Sequence, residues 1–175
     1  PEGEGSAGVR ESQREVAATL PNAGLVVTLD IGNPNDIHPK NKVDVGKRLA
    51  YWALHRDYGM KDIPPSGPSF KSQSIEGDTV VLEFDHAGGG LMAGTKSGID
   101  PVKETSEPFQ AFEIAGEDKK FVPAKATIQG NKIALQADGV PTPMFARYAY
   151  SADPQGPLLY NKEGLPASSF KTDPW

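Results

Sequence analysis

Apolar positions divide the chain into an opening third with helical and continuous apolar stretches, and a longer remainder of short runs broken by turns. Val9 to Leu20 consists of good helix formers, Val9, Val16 and Leu20 share a face, and Pro21 prevents continuation. Gly24 to Ile31 is apolar on both parities, with Leu25, Val26, Val27, Leu29 and Ile31, the pattern of a strand covered on both faces in a parallel α/β sheet. The loop Gly32 to His38 follows, and Pro39 suits a first helical position. Val43, Gly46, Leu49, Ala50, Ala53 and Leu54 then recur at spacings of three and four. They predict an amphipathic helix over Lys40–Tyr58, stopped by Gly59.

Beyond Gly59 helical periodicity is lost. Pro64-Pro65-Ser66-Gly67-Pro68 reads as a stiff linker, which puts a domain boundary near residue 63 and predicts units 1–62 and 63–175. Short β-type runs follow over 69–75, 79–84, 110–115, 121–129, 132–136 and 145–150. Glu76-Gly77-Asp78 and Gln129-Gly130-Asn131 read as hairpin turns. This spacing predicts an antiparallel β-sandwich. The tail, 154–175, offers Leu158, Leu159, Tyr160, Leu165, Phe170 and Trp175 as docking residues.

Composition narrows the function classes. The 175 residues include 19 glycines and 16 prolines, a turn-rich globular balance, and 37% hydrophobic residues still allow a core. A net charge of −5 without a basic run disfavours nucleic acid and anionic membranes as partners. With no cysteine and three scattered histidines, no thiol nucleophile, metal cluster or cofactor is expected. The longest apolar run, around Leu25 to Leu29, is far too short to cross a bilayer, so a soluble chain is expected. The chain opens on Pro1 without a signal-peptide pattern, from which a processed or truncated product is expected.

His38 is the outstanding candidate base. It sits in a strand-to-helix loop at the carboxyl end of the apolar stretch, where open α/β sheets place their ligands. Asp36, two residues upstream, is a candidate to accept the imidazole Nδ1–H, leaving Nε2 to deprotonate a serine hydroxyl; Asp30 is a second candidate orienter. The structural alternative is a helix-capping aspartate beside a surface histidine. His55, near a helix C-terminus, reads as structural. Ala87-Gly88-Gly89-Gly90 has no following Lys-Ser pair and reads as a turn approaching another surface rather than a phosphate loop. Lys40 and Lys42 read as a solvated helix start, and the aromatic residues of the strands as core rather than sugar platforms.

Asp36-Ile37-His38-Pro39-Lys40-Asn41-Lys42 with Val45-Gly46-Lys47-Arg48-Leu49-Ala50, together with Gly77 to Phe84, Phe112 to Gly116, Arg147 to Tyr150 and Leu159 to Ser168, resembles the C-terminal part of the sialate O-acetylesterase family of SGNH or GDSL-like carbohydrate esterases. The resemblance runs from about Val9 to Trp175. It implies a helix–strand–helix piece of an SGNH-type α/β/α domain followed by the β-sandwich, and hydrolysis of a sugar O-acetyl ester by a serine, a histidine base and an oxyanion hole. His38 matches the family's histidine and Asp36 the aspartate of the same block. The wider superfamily usually has aspartate three before histidine, and position 35 here is asparagine. The family's serine and oxyanion blocks lie upstream of the histidine loop and are missing here; Ser69, in the proline-rich linker, is a poor substitute. A second polypeptide or upstream segment is therefore expected to supply them, leaving this chain inactive alone. The resemblance also implies an acetylated sugar as partner, Asp85 and His86 as cleft residues, and a secreted or periplasmic location. The alternatives are a noncatalytic carbohydrate-binding or structural β-sandwich, and an esterase of acetylxylan or another polysaccharide.

Overall fold

The structure, a computed structural model, describes residues 5–175; the first four, part of the expected flexible lead, lie outside the described residues. Two helices, α1 (Ala7–Thr19) and α2 (Lys42–Arg56), precede eleven strands, every pairing of which is antiparallel. The strands are β1 (Ser69–Glu76), β2 (Thr79–Asp85), β3 (Leu91–Thr95), β4 (Lys103–Glu104), β5 (Phe112–Ala115), β6 (Val122–Pro123), β7 (Lys125–Gln129), β8 (Lys132–Gln136), β9 (Phe145–Tyr148), β10 (Leu158–Asn161) and β11 (Phe170–Lys171). They form sheets in the orders β1-β2-β8-β7, β10-β3-β4 and β11-β9-β5-β6.

Both expected hairpins form. Glu76 pairs with Thr79 and Gln129 with Lys132. Gly77 and Gly130, at φ +65° and +64°, take the first central position, where a type II′ turn needs a left-handed residue. One core joins the sheets: Val80 and Leu82 of β2, Ile133 and Leu135 of β8, Phe112 and Ile114 of β5, Tyr148 of β9 and Leu159 and Tyr160 of β10 are all 0% exposed. The run expected over 121–129 is split into β6 and β7, and β3, β10 and β11 form where the sequence suggested turn or tail.

The opening third departs further from expectation. Residues 23–28 carry no regular secondary structure and none of the described strands pairs with them; 29–30 form a turn in which the Ile31 N–H donates to the Thr28 carbonyl at 3.2 Å, and of 24–31 only Ile31 is buried as a whole residue. A strand exists through its neighbours, so without one the stretch is held by side chains: Trp52 Nε1 donates to the Leu25 carbonyl at 3.0 Å and Arg48 Nη1 to that of Val27 at 2.6 Å. The helices are also turned over. Val9, Val16 and Leu20, expected to share a buried face, are more than half exposed, while Ala7 and Glu11 are buried. On α2 the predicted apolar stripe faces outward, with Val43, Gly46, Leu49 and Ala50 exposed, and Arg48 is the buried residue. The reason is polar anchoring. Arg10 of α1 donates to Ser169 Oγ at 3.0 Å and to the carbonyls of Ala149 and Ser151 at 3.1 and 2.6 Å, so the polar side of each helix meets the sheets.

Tyr148 fastens two sheets together: its hydroxyl accepts the Leu159 N–H at 2.8 Å in the core, and burial pushes the phenol's pKa far above its usual value. Tyr148→Phe strands a buried N–H and is expected to lower unfolding free energy by about 1–3 kcal/mol, read as a lower denaturant midpoint with unchanged m.

Candidate active site

The loop that carries His38 is folded by its own polar residues. Asn33 Oδ1 accepts the Asn35 N–H at 3.0 Å, the Asn33 carbonyl accepts the Asp36 N–H at 3.2 Å, and Asp36 Oδ1 accepts the His38 main-chain N–H at 2.8 Å. These are turns of the kind asparagine and aspartate favour. His38 is exposed, and its neighbour Ile37 is 90% exposed. Asp36 thus holds His38 through the main chain. Among the described residues no hydrogen bond joins its carboxylate to the imidazole, so the expected Asp36–ring contact is replaced by an Asx turn.

Both ends of the loop are fastened to the sheets. At the leading end, Asp30 receives Arg48 through two hydrogen bonds of 2.7 Å, and Tyr160 of β10 donates to the same carboxylate at 3.2 Å. The Arg48 and Asp30 side chains are 8% and 1% exposed. Burial, then the Asp30 charge, raises the pKa of the Tyr160 phenol, which stays a neutral donor. Asp30 is therefore a structural clamp rather than an orienter of His38, since its carboxylate is engaged away from the ring. At the trailing end, Asn41 caps α2: its side chain accepts the Asp44 N–H at 3.0 Å and donates to Asp44 Oδ2 at 2.6 Å and to the Gly98 carbonyl at 2.8 Å. Lys96 of the segment after β3 pairs with Asp44 at 2.7 Å. Loss of solvent opposes the ionisation of Asp44, yet the hydrogen bonds from Lys96 and Asn41 and the Lys96 charge together hold its pKa below the ordinary 3.8.

Asp85 and His86 lie elsewhere. They line a cavity with Trp52 and Phe70, towards the C-terminal half of α2, whereas the His38 loop precedes its N-terminus. Among the described residues, that cavity does not include His38. The three glycines after His86 take the role expected of them, a turn against another surface. Gly89 N–H donates to Glu163 Oε1 at 2.8 Å, and a Cβ on Gly88 would fall 2.0 Å from that carboxylate. His55 is structural, its Nδ1 2.6 Å from the Ile63 carbonyl. Tyr148 is core, while Phe145 packs edge-on to Trp175 near the chain end.

The chain matches no protein-family model and no curated protein. It is similar to a solved structure, the crystal structure of a novel carbohydrate acetylesterase from Xanthomonas citri. The two share 43% sequence identity at a TM-score of 0.84, over 97% of this chain and 36% of that one. The likeness supports the carbohydrate-esterase resemblance, and this chain spans a little over a third of that protein's length.

Sequence reasoning missed Arg48, Tyr160 and the Lys96–Asp44 pair. Asn41-Lys42-Val43-Asp44 did carry a signal, because Asn three residues before Asp at a helix start resembles a capping box and would have moved the start from Lys40 to Lys42.

Two outcomes follow from the clamps. Asp30→Ala leaves Arg48 buried without its partner and is expected to cost about 3–5 kcal/mol in denaturant unfolding, with much of the loss recovered in Asp30→Ala/Arg48→Met. The folded pKa of Asp44 is depressed, so its contribution to stability is present above pH 3.8 and disappears as pH falls through the folded value. Lys96→Met should therefore flatten the dependence of stability on pH in that acid window.

Proposed function

We propose that this chain is the C-terminal portion of a serine carbohydrate acetylesterase, with His38 as its general base and acid. The observation that carries the reading is the 43% identity over 97% of the chain to a carbohydrate acetylesterase of which it spans 36%. The outward surface of the opening third supports it. Of the twelve exposed large hydrophobic residues among the described residues, eight precede residue 61: Val9, Val16, Leu20, Ile37, Val43, Leu49, Tyr58 and Met60. A stretch without a strand partner beside an outward apolar helix is suited to being covered by a larger part of the protein. The remaining part of an esterase, whether upstream in the same polypeptide or on a second one, is the occupant proposed for it.

In this reading the other part supplies the serine and the oxyanion donors. His38 Nε2 takes the serine proton as Oγ attacks the acetyl carbonyl. The tetrahedral oxyanion collapses with loss of the sugar oxygen, which receives that proton. Water, deprotonated by the same nitrogen, then attacks the acyl-serine and releases acetate, restoring the hydroxyl. Asp36 acts on His38 through the main-chain turn, fixing where the imidazole begins. Sialic acid is the sugar the family resemblance favours, in a secreted or periplasmic setting.

In the complete protein, His38→Ala is expected to lower kcat on an acetylated sugar by roughly 10³-fold or more without changing the melting temperature, in line with loss of one member of a catalytic unit. Near-normal turnover refutes the assignment. The 175-residue chain alone should release no acetate, because base, nucleophile and oxyanion donors act as one unit. Glycan binding by a complete protein that hydrolyses no acetyl ester would replace this reading with the noncatalytic one.

A further inference from the structure

The cavity that holds Asp85 and His86 measures about 270 Å³ and has features the esterase chemistry does not use. Trp52 lies ten residues beyond Lys42, so the cavity sits about 15 Å along α2 from the helix entry that follows His38. Its aromatic walls are Trp52 and Phe70; Arg14, Asp85, His86 and Ser168 supply polar groups.

Each wall is fixed by contacts within the protein. The indole N–H is tied to the Leu25 carbonyl, and a Cβ on Gly24 would lie 2.6 Å from the ring, so only glycine lets the chain pass there. Phe70 stacks on buried Phe170, with ring centres 4.6 Å apart and 13° between planes. Arg14 is held by both oxygens of Glu11. His86 has φ +57°, a left-handed conformation that is uncommon outside glycine, and its carbonyl accepts from the fully buried Asn161 side chain at 3.3 Å. Glycines occupy 88–90 nearby, and glycine would take this conformation at 86 without strain. The imidazole has no hydrogen-bond partner among the described residues. His86 is exposed, so its imidazole at the cavity's edge, beside aromatic walls held by the protein, is open to a ligand.

We propose that this cavity is a subsite for one neutral sugar ring, distant from the reacting ester. A ring face against fixed aromatic surfaces and hydroxyls within reach of imidazole, carboxylate and guanidinium match a pyranose. The volume lies just under the range of roughly 300–1,000 Å³ for small-molecule sites, which suits a single ring. Neutrality follows from charge. Arg14 is paired with Glu11, and Asp85 with Lys71 at 3.1 Å, so neither cation nor anion is left over for a charged sugar. The sugar class rests on the esterase reading. The subsite adds that the substrate is an oligosaccharide or polymer, one ring of which is held away from the ester.

Trp175→Phe leaves Trp52 as the one tryptophan of the chain, which otherwise has two. Titrating this variant of the 175-residue chain with galactose, glucose, xylose and N-acetylneuraminic acid, and following Trp52 fluorescence, reads the subsite without any ester turnover. The expected result is a saturable change with at least one neutral sugar, weaker or absent with N-acetylneuraminic acid. His86→Gly, which relieves the left-handed strain, should weaken binding about tenfold while leaving the melting temperature unchanged or higher. No saturable change with any neutral sugar, tighter binding of the acidic sugar, or binding indifferent to His86→Gly overturns the proposal. Failure here leaves the esterase reading standing, and loss of that reading through His38 leaves measured sugar binding untouched.

Discussion

The buried pair between Arg48 and Asp30 is the constraint on which the arrangement depends. Two charges taken out of water are costly unless their geometry is good and their remaining hydrogen-bonding capacity is used. Here the guanidinium meets the carboxylate in a two-point contact, donates also to the Val27 carbonyl, and the carboxylate takes a further bond from Tyr160. The pair therefore joins three elements: the stretch before the His38 loop, α2 after it, and β10 of the sheets. With Asn41, Asp44 and Lys96 fixing the other end, an exposed loop is suspended between two clamps. Its position is set by groups that need not touch a substrate.

The same anchoring explains why both helices present apolar residues outward. Arg10 and Arg48 spend their donors on carbonyls, a hydroxyl and a carboxylate of the protein, so the faces that carry them turn inward. Val43 and Leu49, with Val9 and Val16 on α1, are left facing away from the core. In the stretch before the His38 loop, the carbonyls of Leu25 and Val27 point to the α2 side. The Thr28 carbonyl accepts the Ile31 N–H at 3.2 Å, and the main-chain N–H groups of Val26 and Thr28 have no partner among the described residues. A surface of this kind suits a larger protein, consistent with the modest share of the Xanthomonas citri acetylesterase that the chain spans.

The hairpins were legible because Gly77 and Gly130 sit at positions where only a left-handed residue closes a two-residue turn. Strands β2 and β8 were legible from their β-branched and apolar runs, and the helices from their periodicity. Which face each helix buries was not, since hydrophobic spacing gives no weight to one arginine with three partners. The strand expected at 24–31 shows the limit of pattern reading: 23–28 have no strand partner and 29–31 turn, because pairing depends on a neighbour that composition cannot name. Strands β3 and β10 were hidden by their shortness and by adjoining Gly and Pro, which read as turns. His38 and Asp36 were singled out by motif, but the bond between them runs to a main-chain N–H, and a spacing of two residues does not distinguish that from a bond to the ring. Asp30 drew attention as a loop-end carboxylate; its partner lies eighteen residues on, beyond the reach of local motif reading.

In the complete protein the unpaired stretch that holds Val26 and Thr28 is proposed to gain a strand partner from the rest of an esterase, the part that brings a serine to His38. Amide hydrogen exchange at Val26 and Thr28, measured in the 175-residue chain and in the complete protein, tests it most directly. Fast exchange is expected in the chain alone, and strong protection of both amides in the complete protein. Equal, rapid exchange in both would show that no neighbouring strand is supplied and that this part of the chain is not completed by an esterase sheet.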